Sequence, residues 1–278
     1  MSVPFTAREH GTPKWMESYP DAAAQEQRIT EIIGKYKTRI FAWDVVNETV
    51  SAPGIAIAQP HHWARKAASN ATLVVNDYTI FLDGFPSFYE MLKEGIQQGV
   101  PIDAIGIQGH EPRDMAFPLD RVWRILEHYG ELKKEIHITE FCPTSNGSKI
   151  TGGTWRGTWD EAQQAVYSRD FYRTCFAHPA VAAITWWDLS NTGAWRKDAG
   201  LLREDCTPKP AYTALKQLIH EEWSTDETGQ TTQDGPFTFH GFHGEYRVHI
   251  KHGGQEKEMA IHLTKDGNNA FTLPFGGN

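Results

Sequence analysis

The sequence predicts an α/β protein, in which parallel strands alternate with helices, followed by a small antiparallel β-unit. Short continuous apolar runs, which are typical of strands buried in a parallel sheet, recur along residues 1–223. Between them, apolar residues keep the i, i+3, i+4, i+7 spacing of amphipathic helices. After residue 235, apolar and polar residues alternate instead, as in a half-buried antiparallel sheet. A repeated β-then-α order leaves two alternatives for the first region, a closed barrel and an open sheet.

Five apolar runs predict five strands in the first region, at residues 39–46, 72–77, 103–110, 135–141 and 182–189. Helical spacing predicts the helices that precede and separate them, around residues 29–36, 60–70, 88–95, 122–129 and 158–177, and a last helix that begins after Pro210 and ends near Trp223. A closed (β/α)8 barrel has eight strands and typically about 250 residues, so this region falls three strands short.

The sequence divides into three predicted parts. Residues 1–223 form the α/β region, residues 224–235 a polar linker without periodicity, and residues 236–278 the small β-unit. Turns at Gly253-Gly254 and Asp266-Gly267 predict three or four strands in the last part. Five of the thirteen histidines lie there, but their spacing fits no ordinary set of zinc ligands, so we expect neither a metal site nor a cofactor. These histidines are His240, His243, His249, His252 and His262.

Composition and charge exclude several classes of function. The formal net charge of −8 argues against a nucleic-acid partner, since phosphate binding requires a basic surface. No run of 18 apolar residues is present, so we expect no membrane-spanning segment. Cys142, Cys175 and Cys206 are widely spaced and match neither a disulfide framework nor a zinc motif. The first residues, MSVPFTAREHG, contain no apolar stretch of a secretory signal.

Polar and aromatic side chains stand where each predicted strand ends. In α/β barrels, functional side chains collect at the carboxyl ends of the strands, which face a common rim. A single carboxylate at such a place is more often a helix cap or a turn former, but five successive strands carrying such groups indicate a functional site. The groups are Asn47 and Glu48; Asn76, Asp77 and Tyr78; Gln108 and His110; Glu140; and Trp187 and Asp188.

Two glutamates at one rim favour the cleavage of glycosidic bonds. That reaction needs one carboxyl group to protonate the leaving oxygen and a second carboxylate to attack or stabilise the sugar carbon. Glu48 and Glu140 are the candidates, and the residues alone leave retention and inversion of stereochemistry open because their separation is unknown. Asn47 could hydrogen-bond a sugar hydroxyl, and His110 could bind the carboxylate pair. Trp187 and Trp195 offer flat apolar faces for sugar rings.

Four strand-end motifs resemble those of glycoside hydrolase family 10 in their order and spacing. They are WDVVNE at 43–48, IGIQGH at 105–110, ITEF at 138–141 and ITWWDLSNTGAWR at 184–196, and the resemblance runs from about residue 10 to residue 222. It includes NDY at 76–78 and PKPAY at 208–212. The family comprises retaining endo-β-1,4-xylanases built on a (β/α)8 TIM barrel, so the resemblance implies that the five predicted strands are strands four to eight of such a barrel.

The same resemblance implies roles for the catalytic residues. Glu48 would be the general acid/base at the end of strand four, and the neighbouring Asn47 would hold the 2-hydroxyl of the sugar. Glu140, at the end of strand seven, would be the nucleophile. His110 would be hydrogen-bonded near it, and Gln108 would line the site.

The resemblance further implies a substrate and a location. Trp187 and Trp195 would wall the sugar-binding cleft, and Tyr78 would lie on the leaving-group side. The expected partner is xylan or a xylo-oligosaccharide, and family members meet this polymer outside the cell, so an extracellular or periplasmic location is implied.

The first three β/α units of the family have no counterpart in this sequence. In the family, these units carry residues that bind the sugar on its non-reducing side. An open five-stranded sheet would expose two edges, so we expect that a second copy of the chain, residues 1–20, or further residues of a longer protein cover the opening. The alternatives to a xylanase are therefore a catalytically impaired relic that binds xylo-oligosaccharides, and a retaining hydrolase of another β-1,4-glycan such as cellulose or mannan.

Overall fold

The computed structural model describes residues 22–49, 57–110, 114–232 and 235–274. The first region contains the strands β1 (Ala42–Asn47), β2 (Thr72–Asp77), β3 (Ala104–Ile107), β4 (Glu135–Phe141) and β5 (Val181–Trp186). Its helices are α1 (Ala22–Tyr36), α2 (Ala58–Ala67), α3 (Ile80–Asp83), α4 (Pro86–Gln97), α5 (Leu119–Gly130), α6 (Glu161–Ala177) and α7 (Pro210–Gln217), and α7 continues into a π-helical segment at Leu218–Glu222. The alternation of strands and helices that the sequence predicts is confirmed.

The five strands form one parallel sheet in the order β1-β2-β3-β4-β5. Each strand pairs with the next one along the chain, which is the order of a (β/α) barrel. A doubly wound sheet reverses its strand order at a switch point, and no reversal occurs among these five strands. The structure therefore supports a TIM-barrel type of fold, of which the described residues contain five parallel strands with β1 and β5 at the edges of the sheet.

Burial follows the position of each strand in the sheet. All four residues of β3 are buried, and so are five of the six residues of β2, because both strands have neighbours on either side. The edge strand β5 has no residue in the buried class, and its Ala182 and Thr185 are exposed. Helices pack their apolar stripes against the sheet, as the predicted stripe of α5 illustrates with buried residues at 122, 125, 126 and 129. The central strands of this helix-covered parallel sheet are therefore buried, whereas residues of the edge strand β5 are exposed.

Strand β4 is held in place by aromatic packing against α6. The ring of Phe141 stacks on Phe171 at a centroid distance of 4.1 Å and meets Trp186 edge-on at 5.5 Å. The parallel register between β4 and β5 shifts between Ile138 and Phe141. Such irregularities re-aim a side chain at the place where they occur. This one includes Glu140.

The C-terminal unit is smaller than the sequence predicts. It contains the antiparallel strands β6 (Gly244–His252) and β7 (Gln255–Leu263), joined by the predicted turn at Gly253-Gly254. Both glycines have positive φ, 56° and 80°, which two-residue hairpin turns of type I′ require.

The prediction of three or four strands is wrong for the described residues 235–274, which contain two. The aromatic stretch FTFH at 237–240 packs as side chains instead of pairing as a strand: the ring of Phe239 lies 5.6 Å from that of Tyr246, whose hydroxyl donates to the carbonyl of Phe242 at 2.7 Å. Strand β6 therefore keeps an apolar partner without a third strand.

The chain divides into two compact units, Met1–Leu215 and Lys216–Asn278. This division falls within helix α7, so the boundaries predicted for the catalytic region, the linker at 224–235 and the β-unit stay predictions. Across the described residues, no helix is long and apolar enough to cross a membrane. The same residues contain no group of three or more His, Cys, Asp or Glu side chains placed to hold a metal ion. In the hairpin, His249 pairs with Glu258 and His262 pairs with Glu245 across the two strands.

Candidate active site

The carboxyl ends of four neighbouring strands meet because the parallel pairing continues past the strands themselves. The backbone N–H of Glu48 donates to the carbonyl of Asn76 at 2.8 Å, and the N–H of Gln108 donates to Asp77 at 3.0 Å. The N–H of Glu140 in turn donates to the carbonyl of Gln108 at 3.0 Å. Strand β3 is shorter than predicted, because the chain turns at Gly109, which has a φ of 78°. His110, which follows this turn, is therefore placed at the rim beside Glu140.

Glu48 follows β1 in a left-handed backbone conformation, with a φ of 63°. Residues other than glycine rarely adopt this conformation, and such strain collects at functional sites. The next residue helps to hold the turn, since the hydroxyl of Thr49 donates to the Asp77 carboxylate at 2.5 Å and both side chains are buried. The turn brings the Glu48 carboxylate to Gln108, whose side-chain Nε2 donates to Oε1 at 3.2 Å.

A chain of side-chain amides links the two glutamates. Gln108 Nε2 donates to Glu48 and also to Asn47 Oδ1, at 3.3 Å. Asn76 Nδ2 donates to the same Asn47 oxygen at 2.8 Å and to Glu140 Oε1 at 3.0 Å. The side chains of Asn76 and Gln108 are fully buried. The two carboxylates are thus held in one hydrogen-bonded network.

Glu140 is fixed through both of its carboxylate oxygens. Oε1 accepts the hydrogen bond from Asn76, and Oε2 lies 3.2 Å from Nε2 of His110. Glu140 is only 7 % exposed, whereas Glu48 is half-buried. One carboxylate is therefore enclosed and held on both sides, while the other is accessible from the rim.

The segment that follows β5 closes over His110. The Trp195 ring lies 4.7 Å from the His110 ring at an angle of 56°. Arg196 Nη1 donates to the backbone carbonyls of His110, at 2.9 Å, and of Cys142, at 3.2 Å. The Asp188 carboxylate accepts hydrogen bonds from the backbone N–H groups of Trp195 and Arg196, at 3.2 and 3.4 Å. Asp188 and Arg196 thus orient the segment that carries Trp195.

Trp187 and Tyr78 stand at the same rim on different strands. Trp187 follows β5 and is 49 % exposed, and its backbone N–H donates to the carbonyl of Phe141, next to Glu140, at 3.1 Å. Tyr78 follows β2 and is half-buried, and its backbone N–H donates to the Asp77 carboxylate at 2.9 Å. Their roles toward a sugar stay predictions.

Sequence reasoning assigned no role to three residues that the structure brings into the network. The sequence marks Asn76 only as a strand-end residue, although an amide that ends the apolar run TLVV is a signal of its own. Thr139 precedes the predicted nucleophile and binds Asn76 through its hydroxyl at 2.6 Å. Arg196 binds backbone carbonyls, which leave no mark in a sequence.

A separate cleft of the described residues lies away from the glutamates. It has a volume of about 570 Å³ and its lining includes Arg65, Asp103, Lys133 and Lys134. These residues stand around the amino ends of the strands, opposite the glutamates. Arg65 is occupied there by an ion pair with Asp103 and by hydrogen bonds to carbonyls. The amide network that joins the two glutamates lies at the other ends of the strands, so this cleft is not part of it.

Comparison with known proteins gives one family. The sequence profile of Glycosyl hydrolase family 10 matches residues 9–218. The chain is 31 % identical over 220 residues to endo-1,4-beta-xylanase B of Thermotoga neapolitana, covering 71 % of this chain and 61 % of that protein. It is also 28 % identical over 267 residues to the anti-sigma-I factor RsgI6 of Acetivibrio thermocellus, covering 91 % of this chain and 33 % of that protein. The chain thus spans less than two thirds of the length of both relatives.

Solved structures show the same similarity. Native xylanase 10B from Thermotoga maritima superposes with a TM-score of 0.63 and 28 % identity, over 77 % of this chain and 72 % of that one. Xylanase 10B from Thermotoga petrophila, solved in complex with xylobiose, gives a TM-score of 0.64 and 27 % identity, over 78 % and 72 % of the two chains. Both similarities leave more than a quarter of the solved chains without a counterpart here.

Proposed function

Because the chain belongs to glycosyl hydrolase family 10, we propose that it hydrolyses internal β-1,4-xylosidic bonds of xylan with retention of stereochemistry. Glu48 is the general acid/base of this proposal and Glu140 is the nucleophile. The observation that carries it is the amide network in which Gln108, Asn47 and Asn76 join the two carboxylates. The xylanase relatives add support, because they share both sequence and fold with this chain.

The reaction would proceed by two displacements at the anomeric carbon. In the first, Glu140 attacks this carbon and Glu48 gives its proton to the leaving oxygen, so a covalent glycosyl-enzyme forms. In the second, Glu48 takes a proton from water, and the water releases the sugar from Glu140. The half-buried position of Glu48 suits a group that exchanges protons with the leaving sugar and with water.

Asn47 would bind the sugar through its Nδ2 group, because its Oδ1 is already bound within the network. Its Oδ1 accepts from both Asn76 and Gln108, which orients the amide and turns Nδ2 away from these two donors. Nδ2 is then the atom that would hold the 2-hydroxyl, a contact that strengthens in the transition state of such reactions. Trp195 and Trp187, each about half exposed, would stack on sugar rings, and Tyr78 would lie on the leaving-group side.

A second candidate function is the binding of xylo-oligosaccharide without turnover. One relative that is not named as a hydrolase, the anti-sigma-I factor RsgI6, matches 91 % of this chain. Under this alternative, the open sheet lacks the residues that the first β/α units would supply for binding on the non-reducing side. Hydrolysis of cellulose or mannan is the further alternative within the same chemistry.

We also propose that a second copy of the chain covers the open side of the sheet. Both edge strands present groups that a closed barrel would cover: Phe41, just before β1, is 81 % exposed, and Ala182 and Thr185 of β5 are exposed. Analytical ultracentrifugation at several protein concentrations tests this. A monomer at all concentrations that is nevertheless active would contradict it.

The proposed location is extracellular or periplasmic, because polymeric xylan does not enter the cytoplasm. Antibody detection in the culture medium, periplasm and cytoplasm of the native host measures it. Protein confined to the cytoplasm would refute this part of the proposal.

The release of reducing sugar from xylan tests the main function. The purified chain is compared with Glu140→Ala, with Glu48→Ala, and with Glu94→Ala as a control on the exposed face of α4. Hydrolysis that persists in Glu94→Ala and vanishes in the other two supports the proposal, and NMR of the first-formed anomer then measures retention. Binding of xylohexaose by calorimetry without release of sugar would favour the second candidate, and release from cellulose or mannan alone would favour the third.

A further inference from the structure

The hydroxyl group of Thr139 lies within the network of the two glutamates. Its Oγ1 is 2.6 Å from Oδ1 of Asn76, and Asn76 is fully buried. The side chain of Asn76 joins other side chains of the site, since its Nδ2 donates to Asn47 and to Glu140. Thr139 is therefore connected through one intervening side chain, that of Asn76, to both groups that would act on the sugar.

The amide of Asn76 can point in two ways, and only one of them satisfies its neighbours. In the observed orientation, two N–H groups meet two acceptor oxygens, and the carbonyl oxygen meets the Thr139 hydroxyl. In the flipped orientation, the carbonyl oxygen would face Asn47 Oδ1 and the carboxylate of Glu140, and both contacts would be repulsive. The Thr139 hydroxyl stabilises the observed orientation because it donates a hydrogen bond to Asn76 Oδ1, which would otherwise have no donor.

The carbonyl of Asn76 has little room to move to another donor. Gly106 pairs with Asn76 across β2 and β3, and a Cβ atom at position 106 would lie 2.4 Å from Asn76 Oδ1. The absence of a side chain at Gly106 therefore admits the carbonyl, and the hydroxyl of Thr139 holds it there. A buried carbonyl that loses its donor in such a place cannot recover the hydrogen bond from water.

We propose that Thr139 is a positioning residue of the glycosidase reaction, which orients the Asn76 amide and through it both Glu140 and Asn47. The inference rests on the proposed function. Thr139 touches neither sugar nor reacting atoms; it acts on the nucleophile and on the residue that holds the 2-hydroxyl. Its loss leaves the substrate-stacking surfaces of Trp187 and Trp195 in place, so it lowers kcat and changes KM little.

The test uses Thr139→Val, which keeps the shape and removes the hydroxyl, and Thr139→Ser, which keeps the hydroxyl. Thr213→Val, on the exposed face of helix α7, is the matched control. On an aryl β-xylobioside, Thr139→Val is expected to lower kcat about tenfold, the effect of one hydrogen bond, with KM within about twofold of the original. Thr139→Ser is expected to restore kcat to within about threefold, since the donor remains. The rate of covalent labelling by a 2-deoxy-2-fluoro-xylobioside is expected to fall in parallel with kcat.

Two results would overturn the proposal: an unchanged kcat in Thr139→Val, or equal losses in the Val and Ser variants. The proposed function fails separately, if the original chain neither cleaves the aryl xylobioside nor accepts the fluorinated label. In that case NMR of the Asn76 side-chain NH₂ decides on the orientation itself. Slow exchange in the original chain and in Thr139→Ser, lost in Thr139→Val, supports the positioning of Asn76 by Thr139, and equal exchange in all three refutes it.

Discussion

Nε2 of His110 lies 3.2 Å from Oε2 of Glu140, and both side chains are buried. His110 thereby holds the oxygen of the carboxylate that Asn76 does not. Replacing it with alanine removes this contact and the surface on which the Trp195 ring rests. A misplacement of about 1 Å can cost about a hundredfold in rate, so we expect His110→Ala to lower kcat/KM for xylan about a hundredfold. Initial rates measure the effect, and the exposed His62→Ala is the control; equal rates for the two variants would contradict the role of His110.

The second prediction concerns Arg196, which joins two rim segments through one nitrogen. Arg196→Met leaves the carbonyls of His110 and Cys142 without this donor, and hydrogen bonds from charged groups contribute about 1.5–3 kcal/mol each. We expect a loss of about 2 kcal/mol in the free energy of unfolding in urea, together with a lower kcat/KM. Arg196→Lys should recover part of the stability only, because an ammonium group lacks the planar fork of the guanidinium. An unchanged free energy of unfolding in Arg196→Met would show that the hydrogen bonds from Arg196 to the two carbonyls do not stabilise the fold.

The third prediction uses the close approach of Gly106 and Asn76. Gly106→Ala places a methyl group against a side chain that is held by three hydrogen bonds, so either these bonds or the β2–β3 pairing must yield. We expect a loss of about 1–3 kcal/mol in stability, the usual cost of overpacking, and a reduced kcat. Gly34→Ala is the control, because a Cβ there meets nothing within 4 Å and the residue lies inside helix α1. Alanine at that helical site should raise the stability slightly, and a parallel fall in both variants would rule out the steric explanation.

The fourth prediction concerns pH and His61, which is buried in helix α2. Burial lowers the pKa of His61 from 6.5 to about 4, against the hydrogen bond from its ring to the carbonyl of Ile57, which raises it. The unfolded chain therefore binds this proton at a higher pH than the folded chain does. The contribution of neutral His61 to the stability of the folded chain is therefore fully present above pH 6.5 and is lost progressively as the pH falls toward 4. A shift of this size corresponds to about 3 kcal/mol.

The measurement is the free energy of unfolding between pH 7.5 and pH 5, compared between the original chain and His61→Gln. The variant cannot take up the proton, so its stability should depend less steeply on pH in this interval. Its stability at pH 7.5 is the internal control for damage to the fold. If the free energy of unfolding depended equally on pH in both proteins, His61 would not be the cause of the loss of stability in acid.

The fifth prediction distinguishes the three cysteines. Burial raises the pKa of the Cys142 thiol to about 12, although Arg196 opposes this shift, and burial also raises the pKa of Cys175. Only the thiolate is alkylated, so both should resist iodoacetamide at pH 8, whereas the exposed Cys206 should react. Mass spectrometry should find one adduct on the native chain and three after denaturation. An adduct on native Cys142, which follows β4 directly, would indicate that the chain opens at the end of this strand.

The sequence alone determined the strands and the chemistry that follows them. Five apolar runs of strand length that alternate with helical stripes predict five parallel strands, but the pattern leaves a barrel and an open sheet as alternatives. The positions of Glu48 and Glu140 at strand ends followed for the same reason. A carboxylate that interrupts an apolar run is costly inside a sheet and has its natural place where the sheet meets solvent.

Only the tertiary structure decided how these groups are held. Asn76, Thr139 and Gly106 lie on three different strands, and their contacts depend on strand register, which no local pattern specifies. Arg196 binds backbone carbonyls, which every residue possesses, so its partners cannot be identified from residue type. The C-terminal unit shows the same limit: alternation predicted further strands, but the aromatic rings near Tyr246 pack as side chains instead. Local periodicity predicts which residues face a core. Which distant residues pack against them depends on tertiary contacts, which form only in the folded chain.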